Sequence, residues 1–307
     1  MSSLTATVKK QAAMVSVISN TFLVALKLLV GFMMGSVSVI SEGIHSGLDL
    51  MAALIAYFSI KKASQPADEI HPYGHGKIEN ISGTIEALLI FAAALYIIYE
   101  GVRKLIDGVE VESLGLGLGV MGLSGVVNFF VSRYLFRVAK ETDSVALEAD
   151  AWHLRTDVYT SLGVFAGLAA IHFTGIAILD PVIAIVVALM IIQAAYKLTR
   201  DAFGGIIDTR LPEEEQTIVC NVLDRCCSEY LEYHKLRTRK AGSERYIDLH
   251  LVVPKERPIS EVHALCDQIE ADIKESLPNA HTLIHIEPCT TTGCVNCYEC
   301  GKGAGEK

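Results

Sequence analysis

Six apolar stretches dominate this 307-residue chain, at roughly Ala12–Met34, Val37–Ile60, Ile81–Tyr99, Leu114–Phe136, Val145–Phe173 and Ile176–Lys197. Each reaches the ~20 residues that an α-helix needs to cross the hydrocarbon of a bilayer. Composition agrees: 51% of residues are apolar and only 20% charged, with a mean hydropathy of +0.39. Those values exclude a disordered chain, a collagen-like repeat and an ordinary soluble domain. The N-terminal segment carries Lys9 and Lys10, but the stretch after it contains Lys27 and lacks a small-residue cleavage site. It therefore reads as a first span and not as a cleaved signal.

The basic residues between the spans are lopsided. Lys9 and Lys10, then Lys61, Lys62 and Lys77, then Arg133, Arg137 and Lys140, then Lys197 and Arg200 all fall on one side of a six-span topology, while the opposite loops hold Arg103 and Lys104. The positive-inside rule then puts both termini in the cytoplasm of a multi-pass protein of the cell (inner) membrane. The net charge of −9 divides almost evenly between the apolar part and the remainder, so nothing points to nucleic acid.

After Asp208 the composition changes abruptly to Thr-Arg-Leu-Pro-Glu-Glu-Glu, and Pro212 followed by three glutamates reads as the first turn of a helix. The pattern predicts a helix near Glu213–Tyr230, strands near His234–Lys240 and Arg245–Val253, a helix near Ser260–Leu277 and a strand near Thr282–Glu287. The expected organisation is thus a transmembrane α-helical bundle over 1–208 and a cytoplasmic, metallochaperone-like α+β domain of order α-β-β-α-β over 209–288. A Cys-rich tail follows over 289–307.

Two charged motifs interrupt the apolar spans: Ser-Glu-Gly-Ile-His45-Ser-Gly-Leu-Asp49 in the second and Ala-Asp-Ala-Trp-His153-Leu-Arg-Thr-Asp157 in the fifth. A spacing of four puts imidazole and carboxylate on one helix face, about one turn apart, and two such faces opposed make four ligands. Two nitrogens and two oxygens suit a tetrahedral borderline ion, above all Zn²⁺, whereas Mg²⁺ and Ca²⁺ prefer oxygen shells. A single such pair could be an intramembrane ion pair, but its repetition favours an ion path. Glu42, Glu86, Glu148, Asp150 and Asp180 also fall within or near spans, several of them expected at the lipid headgroups. Lys27 is a candidate for snorkelling. Arg155 lies off the ligand face and has no role legible in the sequence.

The paired motifs, the six spans and the α-β-β-α-β domain together resemble the cation diffusion facilitator family, over nearly the whole chain up to Cys289. Asp68-Glu-Ile-His71-Pro-Tyr-Gly-His75-Gly-Lys77-Ile-Glu is similar to a loop of its bacterial ferrous-iron and zinc efflux branch. The resemblance implies a homodimer in the lipid bilayer that exports Zn²⁺ in exchange for protons through a transport site at His45, Asp49, His153 and Asp157. It further implies a loop site at Asp68, His71 and His75. A binuclear cytoplasmic site is implied at His234, His250, His263, His285 and Glu287, and a hinge ion pair between Lys77 and Asp208. In the bacterial pumps the first transport ligand is usually Asp, and His45 here favours zinc, with Cd²⁺, Fe²⁺ and Mn²⁺ as alternative ions. Glu287 stands where those pumps commonly have Asp and reaches one methylene further.

Read without the family, His250, His285 and Glu287 fall on predicted strands, the last two on one face by period two. All eight cysteines lie beyond residue 219, and Cys289, Cys294, Cys297 and Cys300 have thiolate-clip spacing, which favours zinc or a soft metal over an iron–sulfur cluster. A reduced tail without metal is the competing reading. Small-x-x-x-small pairs at Gly115 and Gly119 and at Gly163 and Gly167 suit close helix packing. Tyr-Gly-His-Gly-Lys77 is followed by Ile, so no phosphate-binding loop supports ATP hydrolysis, and no His precedes Glu as a metallopeptidase needs. The chain is therefore expected not to be an enzyme. A non-transporting metal sensor or partner subunit is the alternative, and an intact four-ligand set argues against it.

Overall fold

The computed structural model describes residues 3–35, 37–107, 115–176 and 178–290. The chain divides into two compact units, Met1–Ile206 and Ile207–Lys307.

The first unit is six helices: α1 (Ser3–Met34), α2 (Val37–Ala63), α3 (Lys77–Asp107), α4 (Gly115–Thr142), α5 (Val145–Thr174) and α6 (Leu179–Ile206). Among the described residues, all but α5 are long and apolar enough to cross a membrane by length and composition. The exception carries Glu148, Asp150, His153, Arg155 and Asp157 along its first half. The helices run past the apolar stretches at the end of the bundle where α1, α3 and α5 begin, because the amphipathic turns there continue the backbone hydrogen bonding. There, Asp143 takes a positive φ of 51° in the tight α4–α5 turn. Ser144 then caps α5, its Oγ accepting the Leu147 N–H at 3.4 Å.

Small residues bring the helices together. Gly163 of α5 faces Val187, and Gly167 approaches Asp180, both on α6. On α6, Gly205 lies against Asn80 of α3, whose amide donates to the Ala202 carbonyl at 3.2 Å. By contrast, Gly119 of α4 has open space beside it.

The second unit has α7 (Glu213–Arg225), β1 (Glu232–Ala241), β2 (Glu244–Val253), α8 (Ile259–Ser276) and β3 (Ala280–Pro288), in the expected order α-β-β-α-β. The sheet order is β1-β2-β3, with the first pair antiparallel and the second parallel. Strict alternation along β2 sends Ile247, Leu249, Leu251 and Val253 into the core with Val219, Leu223, Val262 and Ile269 of the two helices. Each such buried aliphatic contributes about 1.5–3 kcal/mol. Helix α7 stops at Arg225, short of the expected Tyr230, because a turn at Cys226–Glu229 folds Tyr230 back into the core. There its hydroxyl donates to the Leu223 carbonyl at 2.9 Å.

Candidate metal centres

Among the described residues, three groups of side chains each bring their ligand atoms within 4.8 Å of one another: Asp49, His153 and Asp157; Asp68, His71 and His75; and His234, His250 and Glu287.

The first group is built by α2 and α5 in mid-bundle. His153 Nε2 lies 3.1 Å from Asp49 Oδ1, and the Asn128 amide of α4 donates to Asp157 Oδ2 at 3.2 Å. Asp49 and Asp157 line a cavity of about 660 Å³ whose wall also includes Asn20, Lys27, Tyr96 and Met121. His45 lines the same cavity one turn from Asp49 but is not one of the three gathered ligands. An imidazole opposed to two carboxylates, with room beside them, can hold and release a divalent cation.

The second group sits in the α2–α3 connection. Asp68 Oδ1 accepts the backbone N–H groups of Ile70 at 3.0 Å and His71 at 2.6 Å, and lies 3.0 Å from His71 Nδ1. Its other oxygen is 3.3 Å from His75 Nε2. The His71 backbone N–H holds the Asp68 carboxyl below its usual range. Gly74, at φ 78°, makes the reversal that brings the two imidazoles to 4.5 Å between ring centroids, a conformation costly for any residue with a Cβ.

The third group lies on the sheet face opposite the helices. Register does the assembly: His234 pairs with His250 across β1–β2, and His250 pairs with His285 across β2–β3, so three imidazoles form a row over adjacent strands. The β1 register shifts just after His234, where Lys235 takes φ 51°. Glu287 reaches back along β3, its carboxylate 2.6 Å from His250 Nδ1 and 3.3 Å from His234 Nε2. His285 packs on the His250 ring at 4.6 Å between centroids. The hydrogen bond from His250 holds the Glu287 carboxyl below its usual range. Glu287 therefore keeps its negative charge to a lower pH than an ordinary glutamate. His263 is not part of this group; it lies on α8, exposed, with its Nδ1 3.7 Å from Asp267.

Comparison with known proteins identifies the family. The cation efflux transmembrane domain profile matches residues 13–207, and that of the cation efflux protein cytoplasmic domain matches residues 211–289. The chain belongs to the cation efflux family. The uncharacterized transporter sll1263 of Synechocystis is 33% identical over 285 residues, spanning 93% of this chain and 92% of the relative. The cation-efflux pump FieF of Yersinia pestis is 28% identical over 281 residues, spanning 92% and 93%. This cation efflux protein is accordingly a multi-pass membrane transporter of divalent cations and not an enzyme.

Sequence reasoning missed several residues of this transporter's interior. Asn128 was detectable as the one amide in the run Val-Val-Asn-Phe-Phe, since an intramembrane amide requires a partner. Lys27 does not snorkel: it is buried, and its ammonium donates to Ser46 Oγ at 2.7 Å. Nor do Glu86 and Asp150 sit at headgroups; both are fully buried inside the bundle. Arg155 has an account in three dimensions, with its guanidinium 5.0 Å from the Phe129 ring centroid and 5.6 Å from that of Phe136.

Of the expected hinge residues, Lys77 donates to the Ile206 carbonyl at 3.2 Å and Asp208 lies 3.3 Å from Arg239 Nη1. Cys289 continues the strand pairing, its N–H bonded to the Val253 carbonyl at 2.9 Å. Cys294, Cys297 and Cys300 lie outside the described residues.

Proposed function

We propose that this cation efflux protein is a Zn²⁺/H⁺ antiporter that moves zinc out of the cytoplasm as a homodimer. The observation that carries this reading is the convergence of Asp49, His153 and Asp157 from two helices onto one point beside a cavity. His45, one turn along α2 on the cavity wall, supplies the fourth ligand when the helices rock. A nitrogen-containing set of this kind suits Zn²⁺ better than harder ions. Metal and proton compete for the same imidazole nitrogen, which couples zinc release to proton uptake without ATP. The distribution of Lys and Arg puts the α1, α3 and α5 starts, and the soluble domain, on the cytoplasmic side.

Metal competition in proteoliposomes tests the choice of ion. Zn²⁺ uptake is expected to persist against equimolar Cd²⁺, Fe²⁺ or Mn²⁺, and His45→Asp, which exchanges an imidazole nitrogen for a carboxylate oxygen, to weaken the preference over Mn²⁺ by roughly tenfold or more. Equal inhibition by all three competitors in the wild type would remove zinc as the assigned cargo.

The row His234, His250 and His285 with Glu287 is read as a regulatory zinc site that tightens the dimer, and Asp68, His71 and His75 as an accessory zinc site. In the full-length transporter, His250→Ala with His285→Ala is expected to abolish zinc-dependent stimulation of transport. Stimulation at wild-type zinc concentrations in that variant would count against a regulatory role.

A further inference from the structure

Just below the transport ligands, toward the end where α1, α3 and α5 begin, lies a second set of charges. Asp150 precedes His153 by one turn of α5, and Glu86 stands on α3 below Leu89, which lines the cavity. Both acids are fully buried. Neither oxygen of Asp150 has a hydrogen-bond partner, and neither does Glu86 Oε2. Glu86 Oε1 accepts from Ser82 Oγ at 3.2 Å. Glu86 lies within electrostatic reach of both Asp150 and His153, and the Ser16 hydroxyl of α1 faces Asp150. Ser16 in turn accepts from Asn20 at 3.5 Å, and Asn20 lines the cavity.

The cavity wall extends from the transport ligands the other way, toward Lys27, Tyr96, Met121 and Val164. The cavity thus lies to one side of the transport ligands, and among the described residues the other side is packed core. Glu86 and Asp150 lie in the closed half, where Ala87, Ile90 and Ala149 pack the surrounding core. Two carboxylates in a dry interior, Asp150 without a hydrogen bond and Glu86 with one oxygen unmatched, are strongly unfavourable, and such groups inside a membrane bundle mark an ion path. Two carboxylates with two serine hydroxyls form an all-oxygen set, which holds a divalent cation less tightly and less selectively than a set with imidazole. Weak binding that precedes tighter binding is what passage requires, since an ion must leave the first site to reach the second.

We propose that Glu86 and Asp150, with the Ser16 and Ser82 hydroxyls, form an entry subsite where a divalent cation from the cytoplasmic face pauses before transfer to Asp49, His153 and Asp157. The inference rests on the export reading above, because it needs the closed half of the bundle to be the cytoplasmic half. An ion arriving from the outer cavity reaches the transport ligands without passing the pair.

The test compares radiolabelled Zn²⁺ uptake by the full-length protein in inside-out vesicles, where metal meets the cytoplasmic face, with uptake in right-side-out vesicles. Glu86→Gln and Asp150→Asn keep shape and remove charge, which relieves the desolvation cost of a buried carboxylate and so does not endanger folding. Each is expected to raise the ratio of inner-face to outer-face KM by roughly tenfold. A structural role would move both faces together, so an unchanged ratio overturns the proposal, as does a fall. Loss of uptake from both faces in both variants overturns it equally, since an entry subsite is bypassed at saturating metal. Asp157→Ala measured in parallel separates the two readings: normal uptake by that variant defeats the transport-site assignment, whereas the KM ratio addresses the entry subsite alone.

Discussion

Asp157→Ala is expected to abolish proton-driven Zn²⁺ uptake into inside-out vesicles. Asp157 brings one of three ligand groups that meet within 4.8 Å, and its Oδ2 also takes the Asn128 amide at 3.2 Å. Removing it deletes a negative charge that balances the cation and leaves Asn128 without that acceptor. Loss of a supporting neighbour around a metal site typically lowers affinity about 10–100-fold, and loss of a ligand does more. Asp157→Asn keeps the shape and a hydrogen-bonding oxygen but not the charge, so it should transport almost as poorly. Uptake by either variant within about twofold of wild type, at matched protein density, would sink the site. Asn128→Ala should give an intermediate loss, because it removes one hydrogen bond to Asp157 and keeps the carboxylate.

The largest effect on stability is expected from Lys9→Met. The Lys9 ammonium lies 2.9 Å from Glu79 Oε1, with side-chain exposures of 0% and 3%. Ser144 Oγ donates to the other Glu79 oxygen at 2.5 Å. One ion pair and one hydroxyl thus join α1, α3 and the start of α5 inside the bundle. Breaking a buried pair from one side strands the other charge and destabilises by about 3–5 kcal/mol, whereas replacing both partners by uncharged groups of similar volume is often close to neutral. Lys9→Met alone should therefore unfold at markedly lower temperature in detergent micelles, and Lys9→Met combined with Glu79→Gln should recover most of the loss. A double variant no more stable than the single one would mean that Lys9 acts through packing and not through charge.

Lys9 also marks a limit of reading from sequence. As a basic residue before an apolar stretch it counts toward topology. Its burial against Glu79 was invisible, because the partners are 70 positions apart and their meeting depends on how α1 and α3 pack. The same holds for Glu86 and Asp150, which look like headgroup charges one helix at a time and become a buried pair only when α1, α3 and α5 close around them. Arg155 is the converse case: an apparently unsupported charge gains the faces of Phe129 and Phe136 from the neighbouring helix.

Residue type and spacing alone were enough for six apolar helices, an α-β-β-α-β domain, the His-x-x-x-Asp pairs and the ligand-rich connection at Asp68–His75. Each of these is local: hydrocarbon thickness dictates helix length, periodicity dictates which side chains share a face, and ligand chemistry is written in short windows. Which of those residues meet was decided by tertiary structure. The alignment of His234, His250 and His285 depends on strand register and a bulge beside His234. The convergence of Asp49, His153 and Asp157 without His45, and the placement of Glu86 and Asp150 below them, depend on helix packing. Packing is non-local and sums many weak contacts, so it leaves no short signature in the chain.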